Sequence, residues 1–156
     1  MRDGMTEGGT ARTTARAKAR HNRRVRADVP VSGYTTREVG IRGEELAAEY
    51  LQGIGVEIVE RNWRCPYGEV DIVGKEGDVA LLIEVKTRLR HGDGAAPFPE
   101  VAVDERKRNR YRLLGSIYLV EHPRIASVRF DVVSVELVDG DEPLITYYLN
   151  AFQGDE

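Results

Sequence analysis

The chain has 156 residues, 41% hydrophobic and 31% charged, with a formal net charge of −3 and a single cysteine, Cys65. That length suits one domain with a real core, and the composition is that of an ordinary globular protein. An internal disulfide is excluded and no stretch is long and apolar enough to span a bilayer as a helix, so the expectation is a cytoplasmic protein with no membrane partner.

The charge is unevenly spread. Residues 1–28 hold eight Arg or Lys against three Asp or Glu, a surplus of five positive charges that leaves the remainder with a surplus of eight negative ones. A basic arm on an acidic body suits contact with a polyanion, and it serves equally as a solvated tail. The arm lacks the apolar centre of a secretory signal. Residues 1–33 carry almost no large apolar side chain and cannot bury enough surface to offset ordering entropy. They are expected to be disordered, with the folded domain running over 34–156.

"TTREVGIRGEELAAEYLQGIG" predicts a helix. Thr35 and Glu38 have the spacing of a capping box, and Gly53 and Gly55 supply the stop. Val39, Leu46, Ala47, Tyr50, Leu51 and Ile54 form one apolar face, while Glu38, Glu45 and Glu49 point away. Glu44 falls on the rim of that face, about 60° from Ala47 by the helical step of about 100°. "VEIVERNWR" reads as a first strand, followed by a hairpin over "GEVDIVGKEGDVALLIEVKTR" whose turn is "KEGD". "RHGDGAAPFP" is a loop. "EVAVDERKRNRYRLLGSIYLVEHP" is a second helix, ended at His122–Pro123. "SVRFDVVSVELV", apolar on both faces, is a central strand, and "LITYYL" is a final one. The order predicts an α/β fold, a mixed sheet with helices packed on it.

The hairpin carries the chemistry. Side chains alternate along a strand, so Glu69 and Asp71 are expected on one face and Glu84 and Lys86 on one face of the next strand. Val70, Ile72, Ile83 and Val85 are expected to enter the core on the opposite face. A tight turn at Glu76–Gly77 makes the strands neighbours, and the polar faces can converge. Clustered carboxylates repel unless a cation sits between them, and Mg²⁺ prefers such oxygen ligands, completed by water and phosphate. Lys86 beside Glu84 can hold a water or neutralise developing charge. These are the parts of a phosphodiester hydrolase. Glu-x-Lys in a strand is by itself usually an exposed ion pair; the combination with an acidic strand and a hairpin turn favours function.

Asp71, then Glu84-Val85-Lys86 after a turn, resembles the D…(D/E)-x-K signature of restriction-endonuclease-like nucleases. More closely, "GEELAAEYL", "RNWRCPYGEVDIV", "IEVKTR" and "VRFDVVSVEL" resemble the YraN-like family of uncharacterised bacterial proteins, over about residues 38–152. The resemblance implies a restriction endonuclease-like fold and a nuclease dependent on Mg²⁺ or Mn²⁺. It implies Asp71 and Glu84 as metal ligands, the backbone carbonyl of Val85 as a further one, Lys86 as the catalytic lysine and Glu44 as the acidic position of the first helix. Glu69 is an additional candidate ligand from its shared face. Val70 stands where the signature has proline.

Cations surround this centre. The second helix carries Arg106, Lys107, Arg108, Arg110 and Arg112, with Lys107 and Tyr111 on the stripe of Leu114 and Tyr118. RecB-like nucleases place Gln-x-x-x-Tyr on the equivalent helix, where this chain has Lys107 and Tyr111. Arg88, Arg90, Arg61 and Arg64 add charge, and Trp63 belongs in the core before it stacks on a base. Arg64, Arg88, Arg90, Arg106, Lys107, Arg110 and Tyr111 are the candidate contacts to a nucleic-acid backbone. Nothing argues for sequence-specific reading. Cys65, His91 and His122 make no metal site; Asp131 is a candidate to support the site ligands, but a pair with Arg129 or another buried cation is the stronger expectation. The expectation is a hydrolase of nucleic acid, DNA before RNA, with selectivity for backbone or structure. The alternative is a non-catalytic nucleic-acid-binding accessory protein on the same scaffold. Many nucleases of this fold are dimers, so the resemblance also raises a homodimer.

Overall fold

Thr35 opens the first helix as its sequence requires. Its hydroxyl accepts the Glu38 N–H at 3.2 Å, and the Glu38 carboxylate accepts the Thr35 N–H at 2.7 Å, which satisfies two of the helix's otherwise unpaired donors. In this computed structural model, residues 30–90 and 105–151 are described in full, and residues 12–16 by their backbone. Helix α1 (Thr36–Gly53) buries Val39, Leu46, Ala47, Tyr50 and Leu51. Ile54, expected on that face, is 50% exposed, because the helix stops at Gly53 and Ile54 is its C-cap. Gly55 then turns the chain at φ +94°, a conformation that costs glycine least.

Strands β2 (Glu57–Cys65), β3 (Gly68–Glu76) and β4 (Val79–Arg90) form an antiparallel meander. The β3–β4 turn is Gly77–Asp78, one residue later than expected, with Gly77 at φ +60° and Glu76 paired with Val79. Helix α2 (Glu105–Glu121) crosses over to β5 (Ser127–Val138), which lies parallel to β4 along its whole length. Such a parallel neighbour needs a crossover of this kind. Strand β6 (Leu144–Tyr148) returns antiparallel to β5.

The result is a mixed sheet covered by a helix on each face, the α/β architecture expected and one compatible with a restriction endonuclease-like fold. The α1 side holds Ile72, Leu81, Ile83, Val133, Val135 and Tyr147, and the α2 side holds Trp63, Val70, Leu82, Tyr111, Leu114, Tyr118 and Val132. The expected arm falls mostly outside the described residues. Its described pieces carry backbone structure: β1 (Arg12–Arg16) pairs antiparallel with β6 at the sheet edge, and Val31–Gly33 forms one 3₁₀ turn. An unpaired edge beside β6 is a ready template for such a strand. The order is therefore β1-β6-β5-β4-β3-β2. The expected Gly- and Pro-rich loop, His91 included, and the first turn expected for the second helix also lie outside the described residues.

Candidate active site

The site lies where β3 and β4 part. Their ladder runs from Glu76↔Val79 to Ile72↔Ile83 and ends there. β3 continues instead beside β2, through Trp63↔Val70 to Cys65↔Gly68, while β4 runs on beside β5. The parting leaves the β4 N–H of Val85 without a β3 carbonyl. A buried backbone donor must find a partner, and the Asp71 carboxylate supplies it, accepting the Val85 N–H at 2.8 Å. Asp71 thus bridges the opened strands.

Glu84 and Lys86 share a face of β4 as their spacing requires, with Lys86 Nζ 3.5 Å from Glu84 Oε1. The other Glu84 oxygen accepts the Tyr111 hydroxyl proton at 2.7 Å. Tyr111 projects from α2 and is 5% exposed, wedged edge-on against Phe130. It is therefore turned away from solvent and fixes Glu84, where the sequence suggested a contact to nucleic acid. Glu44 comes from the opposite helix, α1, half-buried, with Arg61 3.7 Å away. Glu69 is on β3, with a side chain 60% exposed and Arg64 of the edge strand β2 at 3.3 Å.

The expected facial pattern of β3 needs one correction. Val70 and Ile72 do not share a face: Val70 packs on the α2 side and Ile72 on the α1 side. Asp71 sits at the crossover between them. Val85 and Ile83 do pack on the α1 side, as expected.

The electrostatics follow from this placement. Burial pushes the Asp71 carboxyl above its usual value; the Val85 N–H opposes that shift, the charges of Glu84 and Glu69 add to it, and Lys86 opposes it weakly. Burial and the Asp71 charge likewise raise Glu44, against the pull of Arg61. Burial and the neighbouring Glu84 charge raise the Tyr111 hydroxyl, which keeps it a donor. Glu44, Glu69 and Glu84 each have one cation partner, while Asp71 has only a backbone N–H among the described residues.

This donor set fits Mg²⁺. It offers hard oxygens, two carboxylates from adjoining strands and the intervening Val85 carbonyl, and it carries negative charge that its own cations leave partly uncompensated. Among the described residues, no three His, Cys, Asp or Glu side chains converge tightly enough to hold a metal unaided. A cavity of ≈ 440 Å³, lined by Val59, Tyr118, His122 and Ile125 among others, includes none of the four carboxylates.

The expected cationic contacts divide. Arg64, Arg90, Arg106 and Arg110 are exposed, and Lys107 is half-buried one turn before Tyr111. Arg110 also lies 5.5 Å over the Tyr111 ring. Arg88 is turned inward, onto Glu136 of β5, its register partner. Trp63 is 4% exposed and packs edge-on against Tyr118, as a core residue. Asp131 is fully buried and grips Arg129 at 2.9 Å, as expected; it also accepts from the Tyr147 hydroxyl at 2.5 Å and the Asn150 N–H at 2.7 Å. His122 Nδ1 reaches the Tyr118 carbonyl at 2.9 Å at the end of α2.

Two residues escaped the sequence reading. A Cβ built on Gly43 would lie 1.7 Å from Thr87 Oγ1, so α1 touches β4 through bare backbone directly beside Glu44. A glycine inside a helix disfavours it by about 1 kcal/mol against alanine, which was the signal to look for a packing reason. Asn62, inside β2, has φ +55°. Asparagine in a strand interior was the corresponding signal there.

Comparison with known proteins agrees with the resemblance. The profile of "Uncharacterised protein family UPF0102", the YraN-like family, matches residues 43–135. A UPF0102 protein of Rhodococcus opacus (strain B4) is 46% identical over 115 residues, covering 73% of this chain and 95% of the relative. One from Syntrophomonas wolfei is 42% identical over 117 residues, covering 74% and 98%. The relative GSU0650 from Geobacter sulfurreducens is 37% identical over 116 residues, covering 74% and 88%.

Proposed function

This chain belongs to the UPF0102 family, and from that premise and the carboxylate geometry we propose that it is a metal-dependent phosphodiester hydrolase acting on nucleic acid, DNA in the first instance. The observation that carries the reading is Asp71 bound to the Val85 N–H across the parted strands, near enough to feel the Glu84 charge, with Lys86 held 3.5 Å from Glu84. Asp71, Glu84 and the Val85 carbonyl would hold Mg²⁺ or Mn²⁺. When bound, the metal lowers the pKa of a water and offsets phosphate charge.

The chain's own groups do the rest. The Lys86 ammonium, fixed by Glu84, is aimed to hold the attacking water or a phosphate oxygen. Tyr111 holds Glu84 in one orientation, which limits the reorganisation needed when a ligand arrives. Glu44, with its raised affinity for a proton, is placed on the other side of Asp71 to assist in proton transfer. The exposed Arg64, Arg90, Arg106 and Arg110, with Lys107, are suited to phosphates beyond the scissile one, which predicts strong salt dependence.

The accessory-protein reading has one observation in its favour: Glu44, Glu69 and Glu84 already have cation partners within the chain. Labelled single-stranded, duplex, flapped and four-way DNA, and RNA, separate the readings when incubated with Mg²⁺, Mn²⁺ or chelator. Hydrolysis requires cleavage of at least one of them in metal alone. Binding that persists in chelator, without cleavage in any metal, sinks the hydrolase and leaves the accessory protein.

A further inference from the structure

A regular strand returns residues i and i+2 to the same face. β3 breaks that rule between Val70 and Ile72, and β2 breaks it opposite. Arg61 reaches Glu44 on the α1 side, whereas Trp63 packs against Tyr118 of α2. The pairs are Arg61↔Ile72 and Trp63↔Val70. Both strands therefore roll over across single residues, Asn62 and Asp71, which stand opposite each other between those pairs.

Asn62 is at φ +55°, in the left-handed region. Glycine enters that region freely and asparagine with least difficulty among the others, while β-branched residues are strongly disfavoured. The Asp71 side chain extends sideways, along the sheet, to the Val85 N–H of β4 at 2.8 Å.

We propose that Asn62 is the positioning residue for Asp71: its left-handed backbone rolls the β2–β3 ribbon and delivers the Asp71 carboxylate into the gap beside β4. Backbone conformation, not the amide side chain, is what the position supplies. The consequence for metal binding rests on the function proposed above; the delivery of Asp71 to Val85 does not.

The test uses the full chain and reads the Val85 amide by NMR, with Asp71→Ala as the reference for the lost hydrogen bond. A charge-assisted bond to the carboxylate holds that amide proton downfield. Asn62→Gly is expected to leave it at the wild-type position. Asn62→Val is expected to move it to the Asp71→Ala position, and Asn62→Ala, the variant milder on folding, to move it in the same direction. Mn²⁺ affinity is expected to follow the same order, near wild type for Asn62→Gly and weaker on the order of 10- to 100-fold for Asn62→Val. The proposal is overturned if folded Asn62→Ala or Asn62→Val keeps the wild-type Val85 signal. It is equally overturned if Asn62→Gly displaces that signal as far as Asn62→Val does. The predicted Val85 pattern in a protein that binds no Mn²⁺ would uphold the positioning role and count against the metal-dependent function.

Discussion

Asp71 is the residue on which most of the account turns, and its environment gives a signed prediction. Its carboxyl is raised above a usual value near 3.8, first by burial and then by Glu84 and Glu69. A raised acid favours the folded state below its unfolded pKa and loses that contribution as pH rises through the folded value. Without metal, Asp71→Asn should therefore be more stable than wild type at pH 7.5, since its side-chain oxygen still accepts the Val85 N–H. The gap should close as pH falls through the raised pKa towards 3.8. Denaturant melts in chelator at both ends of that range check it; a variant less stable at pH 7.5 would contradict the crowded-carboxylate picture. Tyr111→Phe removes the hydroxyl from Glu84 while keeping the ring. It should cost about 1 kcal/mol of stability and weaken metal binding about tenfold or more, read by calorimetric titration. At this scale the sequence was legible where chemistry is periodic: the shared face of Glu84 and Lys86 follows from alternation alone. Tyr111 was assigned to the right stripe, but its partner was not readable, because a contact between α2 and β4 depends on how the helix crosses the sheet. Asn62 was missed because one left-handed residue leaves no periodic trace.

Elements set the spacing of those residues. α1 presses on β4 so closely at Gly43 that no side chain fits against Thr87, and Glu44 is the next residue. Gly43→Ala should push the helix off the sheet, costing about 1–3 kcal/mol as an overpacked contact does. It should also lower cleavage, since Glu44 moves with the helix; an unchanged melting temperature would show that the contact yields freely. Asp131 lies on β5 opposite Ile83, beside the site in register but apart from it in its contacts. It is wholly buried, gripped by Arg129, Tyr147 and the Asn150 N–H, and it touches none of the site carboxylates. Asp131→Ala leaves Arg129 with Glu76 at 3.4 Å as its remaining carboxylate partner and takes the acceptor from the Tyr147 hydroxyl and the Asn150 N–H; it should cost about 3–5 kcal/mol, with metal affinity unchanged in the folded fraction. The Thr35–Glu38 box and the Asp131–Arg129 pair were both legible, since each lies within a few residues along the chain. Ile54 was placed on the apolar face by carrying the helical period past the stop at Gly53, and the roll at Asp71 was not legible, because the parting of two strands is decided by distant neighbours.

On the scale of the whole molecule, topology makes the site. The crossover through α2 lays β5 parallel to β4 and frees β3 to leave β4 and follow β2. The opened notch is where one carboxylate from each strand can meet, with a helix on either side contributing Glu44 or Tyr111. The element order and the mixed character of the sheet could be read from the sequence; the notch could not, because it depends on where the β3–β4 ladder stops. Four exposed arginines and the basic arm suit a polyanion. Binding should therefore weaken steeply between 50 and 200 mM salt, by a factor set by the number of phosphates contacted; titrations of labelled DNA at several salt concentrations measure it, and a flat response would argue that those arginines stay solvated.

The most direct test is the initial rate of DNA cleavage by the purified chain in Mg²⁺, measured beside chelator, Asp71→Asn and Lys86→Ala. The account predicts cleavage that vanishes in chelator and in Asp71→Asn and falls by about 10²-fold or more in Lys86→Ala, the usual scale for losing one electrostatic group. Cleavage that survives Asp71→Asn at the wild-type rate would contradict it, since the parted strands and their facing carboxylates would then have no part in the chemistry.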